Sequence, residues 1–274
     1  MPSSRATVLG LPLDLTESFR PGTATGPQRI REVAESLEDY SPVLDADLAD
    51  RNVFDAGDVD LTGRTLLESL DAIELAAGAA LDQGFLLAYG GEHTGTLPVI
   101  RAAAQRFPDL TVVHFDAHLD IRKDYDGEPI THATWANVVG NEIGFDRLIQ
   151  LGVRSGTRDE HLRARICRHS SASIEIPAAL LKELEQRPLY VTIDIDVLDP
   201  SVAPGTGCPE PGGPNFRELM QSLYALRECH VIGADVMEIL PGCDVSDVTS
   251  VTAAKIGREM LCMWVSTRDE LESS

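Results

Sequence analysis

Short, nearly continuous apolar runs recur along the chain, separated by longer stretches, several with helix-period spacing, and this alternation restricts the fold more than any other feature. ATVLGL (6–11), RNVFDA (51–56), FLLAY (85–89), LTVVHFD (110–116), RLIQLGV (147–153), SASIEI (171–176), LYVTIDI (189–195) and HVIGADV (230–236) read as strands. Segments 26–40, 64–84, 215–229 and 249–264 read as helices, with Pro27 and Pro98 where a first helical turn tolerates proline. A strand that is apolar at successive positions is covered on both faces, which predicts a mainly parallel sheet with helices on each side. The 274 residues can form one hydrophobic core, and no internal repeat divides them, so a single α/β domain spanning 1–274 is expected.

Charge narrows the partners. With 23 Lys and Arg against 44 Asp and Glu, the net charge of −21 argues against nucleic acid or an anionic membrane surface. It suits cationic substrates and metal ions. No apolar run is long enough to span a bilayer, and the N-terminal apolar stretch soon reaches Asp14, which makes a poor signal peptide. Five scattered cysteines without a CxxC pair point to a reducing, cytoplasmic setting, with all five expected as buried small hydrophobes.

The chemistry concentrates at strand ends. In HFDAHLD (114–120), Asp116, His118 and Asp120 occupy alternate positions directly after an apolar strand, and in extended geometry they share a face. Converging carboxylates there are costly unless a cation neutralises them. VTIDIDVLDP (191–200) repeats the pattern with Asp194 and Asp196, and YGGEHT (89–94) runs a strand into two glycines, Glu92 and His93. Ligands of open α/β sheets collect beyond the carboxyl ends of strands. Two imidazoles and four aspartates exceed what one tetrahedral ion requires, so the expectation is two divalent ions with shared carboxylates.

These blocks, together with SFRPGTATGPQRIRE (18–32), THAT (131–134), DIDVLDPSVAPGTGCPEPGG (194–213) and GADVMEILP (233–241), resemble the ureohydrolases, the superfamily of arginase and agmatinase. Within it the chain is most similar to bacterial and archaeal agmatinases. The resemblance implies a three-layer α/β/α fold with an eight-stranded mainly parallel sheet and two Mn²⁺ per subunit. It assigns His93, Asp116, Asp120 and Asp194 to one ion and His118, Asp116, Asp194 and Asp196 to the other, with Asp116 and Asp194 bridging. Glu92 is then left to stabilise its loop. His132 matches the family's catalytic histidine, and Glu238 matches the carboxylate that anchors a guanidinium.

The implied reaction is hydrolysis of a guanidino compound, foremost agmatine, to urea and an amine. Guanidinobutyrate, guanidinopropionate, arginine and formiminoglutamate are alternative substrates, and a non-catalytic metal-binding subunit is the alternative from another class. Relatives form trimers or hexamers, so a homo-oligomer is expected. The loop IRKDYDGEPI (121–130) lacks the Asn and Ser with which arginases bind an α-carboxylate, and its Asp124, Asp126 and Glu128 are expected to repel one.

Overall fold

The computed structural model describes residue 3 and residues 5–267, so the expected domain bounds of 1–274 run past it at both ends. Among the described residues ten strands form: β1 (Ala6–Leu11), β2 (Tyr40–Ser41), β3 (Ala46–Asp47), β4 (Val53–Asp58), β5 (Phe85–Gly90), β6 (Thr111–Phe115), β7 (Leu148–Leu151), β8 (His169–Ser171), β9 (Pro188–Asp194) and β10 (His230–Met237). Eight α-helices accompany them among the same described residues: α1 (Gly26–Ala34), α2 (Leu66–Leu81), α3 (Thr96–Arg106), α4 (Trp135–Ile143), α5 (Arg158–Arg163), α6 (Ala178–Leu184), α7 (Phe216–Ala225) and α8 (Val248–Trp264). Strands β2 and β3 make a separate small hairpin. The other eight form one sheet in the order β4-β1-β5-β10-β9-β6-β7-β8, and every pairing within it is parallel.

The unbroken apolar runs have the expected cause. In β5, Phe85, Leu87 and Tyr89 enter a core shared with Ile30 of α1, Leu223 of α7 and Ile256 of α8. Leu86 and Ala88 of the same strand enter a second core with Ile73 of α2, Leu97 of α3 and Val139 of α4. Helices therefore cover both faces, and the three-layer architecture follows from period-2 geometry. Helix starts are fixed by reciprocal side-chain caps: Thr65 with Glu68 on α2, Thr157 with Glu160 on α5, and Asn215 with Glu218 on α7. Among the described residues, no helix is long and apolar enough to cross a membrane.

Two expected elements shift. The segment expected as a strand at 171–176 contributes only Ser171, the last residue of β8. Beyond it, Ser171 Oγ accepts from the Ser173 amide at 3.0 Å and Ser173 Oγ from the Glu175 amide at 3.1 Å, so local turns capture the amides a ladder would use. Ile174 and Ile176 still bury their side chains, which is why the stretch reads as a strand. The helix expected over 26–40 stops at Ala34, where the Ser36 hydroxyl donates to the Val33 carbonyl at 2.7 Å and the chain turns toward β2.

Candidate active site

The four central strands β5, β10, β9 and β6 are neighbours, and their carboxyl ends bring the polar blocks of the sequence together. The turn after β5 carries Glu92 and His93, and the segment after β6 carries Asp116, His118 and Asp120. Strand β9 ends in Asp194, two residues before Asp196, and β10 is followed by Glu238. Gly91 makes the first of these turns possible, because a Cβ there would lie 1.9 Å from the Leu13 carbonyl oxygen.

Among the described residues, two groups of donor atoms fit the requirements of a metal ion. They are His93, His114, Asp116 and Asp120, and Asp116, His118 and Asp196. Asp116 belongs to both: Oδ2 lies 3.3 Å from His93 Nδ1, and Oδ1 lies 3.5 Å from His118 Nδ1. His118 Nδ1 is 2.9 Å from Asp196 Oδ2, and Asp120 Oδ2 is 3.9 Å from His93 Nδ1. Asp194 meets His93 Nδ1 through Oδ2 at 3.2 Å but stands outside both groups, and its Oδ1 accepts from the Asp196 amide at 2.8 Å.

The surroundings aim these donors. His93 stacks on Trp135 with ring centroids 4.6 Å apart, and its Nε2 lies 2.8 Å from the Thr192 hydroxyl, which leaves Nδ1 facing the aspartates. Trp135 Nε1 donates to Asp120 Oδ2 at 2.9 Å. Asp235 is sealed beneath the site, where it accepts from Thr96 and from the Tyr190 hydroxyl at 2.9 and 3.0 Å. Glu92 uses both carboxylate oxygens to tie down the N-terminal loop, accepting from the Leu15 and Thr16 amides at 2.7 Å each and from the Thr16 and Thr94 hydroxyls.

The electrostatics match a donor set that needs cations. Among the described residues, the ion-pair partners of Asp116, Asp120, Asp194 and Asp196 are histidines alone. Burial and the charge of Asp116 push Asp120 well above the usual carboxylate range, and burial with Asp196 does the same to Asp194. Burial opposes charge on His93, yet Asp116 and Asp194 hold its pKa well above the usual value. Protons thus offset the excess negative charge here. Divalent ions on carboxylate and imidazole donors would do so in their place.

A cavity of about 320 Å³ opens over the cluster and is lined by Asp120, Asp194, Asp196, His118, His132 and Glu238, among others. His132 Nε2 lies 3.1 Å from Ser18 Oγ, and its Nδ1 is 3.4 Å from Thr16 Oγ1, whose proton goes to Glu92. That network assigns the ring proton to Nδ1 and leaves Nε2 as the basic nitrogen. Burial lowers the His132 pKa, against the pull of Glu92. Glu238 sits at φ 67° with its amide donating to the Gly91 carbonyl at 2.8 Å, a left-handed conformation rare for a long side chain. Its Oε1 accepts from the His93 amide at 2.9 Å.

Sequence reasoning missed several lining residues, three of them chemically significant. Glu17 stands beside Glu238, and burial together with the charge of Glu92 raises its pKa to about 7. Glu160, in a segment to which the sequence analysis assigns no element, is buried and takes Arg122 Nε at 3.1 Å. Cys208 lines the cavity and is half-buried, as is Cys243, so only three cysteines are fully interior. No spacing signal marks Glu17 or Glu160, because each reaches the site from a loop or helix start remote in sequence. The loop acids Asp124, Asp126 and Glu128, expected to face the substrate, are exposed and do not line the cavity.

Comparison with known proteins agrees with this geometry. The model of the Arginase family matches residues 4–263. Agmatinase from Bacillus subtilis is 46% identical over 266 residues, covering 95% of this chain and 92% of that protein. Agmatinase from Bacillus anthracis is 44% identical over 268 residues, covering 96% and 92%. Among solved structures, proclavaminate amidino hydrolase from Streptomyces clavuligerus superposes with a TM-score of 0.86 at 30% identity, covering 96% of this chain and 92% of that one.

Proposed function

The chain belongs to the arginase family, and from that premise we propose that its cavity hydrolyses agmatine to urea and putrescine. It is a ureohydrolase, and the agmatinases at 44% and 46% identity support this substrate over others. The observation that carries the reading is the placement, in one cavity, of a carboxylate with an oxygen to spare, a neutral imidazole and a histidine–aspartate cluster.

The reading assigns His93, Asp116, Asp120 and Asp194 to one divalent ion and His118, Asp116, Asp194 and Asp196 to the other, with manganese as the metal. When bound, such ions lower the pKa of water and supply positive charge where the transition state gains negative charge. Glu238 receives the substrate's guanidinium through hydrogen bonds to its planar N–H groups. His132 Nε2, unprotonated at neutral pH, moves the proton. A water oxygen bonds to the guanidinium carbon, the bond from that carbon to the substituted nitrogen breaks, and both protons of that water end on the departing amine. Urea and an alkylammonium leave, so atoms and charge balance.

The same reading includes a cytoplasmic homo-oligomer of three or six chains, which light scattering tests against the 29.7 kDa monomer. The deciding experiment is urea release from agmatine by manganese-loaded protein. Turnover supports the assignment, and no turnover on any guanidino compound supports a non-catalytic metal-binding chain.

A further inference from the structure

We infer that Glu17 is a second guanidinium-binding carboxylate, set beside Glu238 in the lining of the cleft, an inference that rests on the ureohydrolase reading above. Each of the two carboxylates has one oxygen tied to the protein and one turned toward the other. Glu238 Oε1 accepts from the His93 amide at 2.9 Å, and Glu17 Oε1 accepts from the Thr23 hydroxyl at 2.9 Å, with Thr23 fully buried. The remaining oxygens flank Gly207: a Cβ on that residue would lie 3.7 Å from Glu17 Oε2 and 3.7 Å from Glu238 Oε2. The two carboxyls are within hydrogen-bond reach of each other, so they converge on one point of the cavity they both line, and a cation that reaches it meets both.

Two like charges at this separation repel unless a cation or a proton lies between them. A guanidinium meets that need, because its planar N–H groups diverge along more than one edge and one carboxylate satisfies only part of them. Glu238 occupies one edge and Glu17 another, while the face of the central carbon stays open to water. The loop that carries Glu17 is held rigidly, since Glu92 accepts from both the Leu15 and Thr16 amides. The arrangement selects substrates with two unsubstituted terminal nitrogens. A formimino compound has one, and leaves a carboxylate without a partner.

The test compares wild type, Glu17→Gln and Glu17→Asp in two measurements: urea release from agmatine by manganese-loaded enzyme, and calorimetric binding of guanidinium chloride. Glu17→Gln is expected to raise both the agmatine KM and the guanidinium Kd about tenfold or more, with kcat changed less than about threefold, and Glu17→Asp to fall between. KM and Kd within about twofold of wild type would overturn the inference, as would a loss of kcat alone. If Glu17→Gln melts far below wild type, Thr23→Val, which frees Glu17 Oε1, decides by the same two readouts. If wild type releases urea from no guanidino compound, the ureohydrolase reading fails, while the guanidinium titration still decides the role of Glu17.

Discussion

His114 Nε2 lies 2.7 Å from Asp116 Oδ2, and both side chains are sealed from solvent. The Gln150 amide nitrogen lies 3.3 Å from His114 Nδ1, which assigns the imidazole proton to Nε2 and makes His114 a donor to the aspartate. Burial keeps His114 neutral, below its usual pKa, against the pull of Asp116. A neutral donor orients Asp116 without cancelling its charge. His114→Phe is therefore expected to weaken manganese affinity about 10- to 100-fold while two ions still bind at saturation. Metal titration followed by elemental analysis checks both parts.

Asp116 itself meets both histidine groups, so Asp116→Asn should remove ion binding and lower kcat/KM about a thousandfold or more, about 4 kcal/mol in transition-state stabilisation. Two ions per chain with full activity in this variant would refute a shared ligand.

The metal-free protein should lose stability as pH rises. Burial first, with neighbouring acids, holds Asp120, Asp194 and Glu238 above the usual carboxylate range and Glu17 at about 7, so the folded state binds more protons than the unfolded chain. Their stabilisation is complete below the unfolded carboxylate pKa and is lost as pH climbs through the folded values. His93, raised by Asp116 and Asp194 despite burial, acts in the same direction above its unfolded value, while the lowered Asp116 opposes both. Differential scanning calorimetry between about pH 5 and pH 8 should show Tm falling without metal. Manganese should raise Tm more at the upper end, by the equivalent of about 2.7 kcal/mol per ion at a hundredfold excess over Kd.

His132 carries a different pH signature. Burial places it below the ordinary imidazole value, so it stays unprotonated at neutral pH and loses its basic nitrogen only in acid. The acidic limb of kcat that belongs to this group should lie below about pH 6.5. His132→Asn should cut kcat about 10²- to 10⁴-fold with little change in KM. A wild-type limb centred above neutrality would contradict the assignment.

Much of the site could be read from residue order alone, because its parts end strands. Asp116, Asp194 and His93 follow apolar runs, and a parallel sheet forces such ends to one edge. Even the fate of Glu92 was legible, since the six expected ligands already formed a complete set. Glu17 was not: it lies 75 residues before Glu92 in the chain, and long-range bonds such as those from the Leu15 and Thr16 amides to Glu92 fold it into the cleft. Ser171 and Ser173 show the opposite failure, where apolar alternation was correct about burial and wrong about the backbone.

The substrate's far end decides the last prediction. Arginine, guanidinobutyrate and agmatine present the same guanidinium, and they differ in carrying an acid or an amine at the other end. The acids of loop 121–130 do not line the cavity, so the discrimination moves to Arg122 and Glu160. Arg122 donates to Glu160 at 3.1 Å and lies over the Tyr125 ring at 5.0 Å, while the Thr157 amide also donates to Glu160 at 2.9 Å. A substrate carboxylate that recruits Arg122 takes it from Glu160, which is only 5% exposed and keeps its Thr157 donors, and losing that charged hydrogen bond costs about 1–3 kcal/mol. A substrate ammonium makes no such demand and adds a partner for Glu160. Agmatine should therefore exceed arginine, guanidinobutyrate and guanidinopropionate in kcat/KM by about tenfold or more, at least 1.4 kcal/mol in transition-state binding. Arg122→Gln should lower turnover of the acid-bearing compounds further while changing agmatine less than about threefold, since rim charges contribute little to a cation that does not touch them. An acid-bearing substrate turned over tenfold better than agmatine, with that advantage lost in Arg122→Gln, would make Arg122 a carboxylate receptor and the enzyme a guanidino-acid hydrolase.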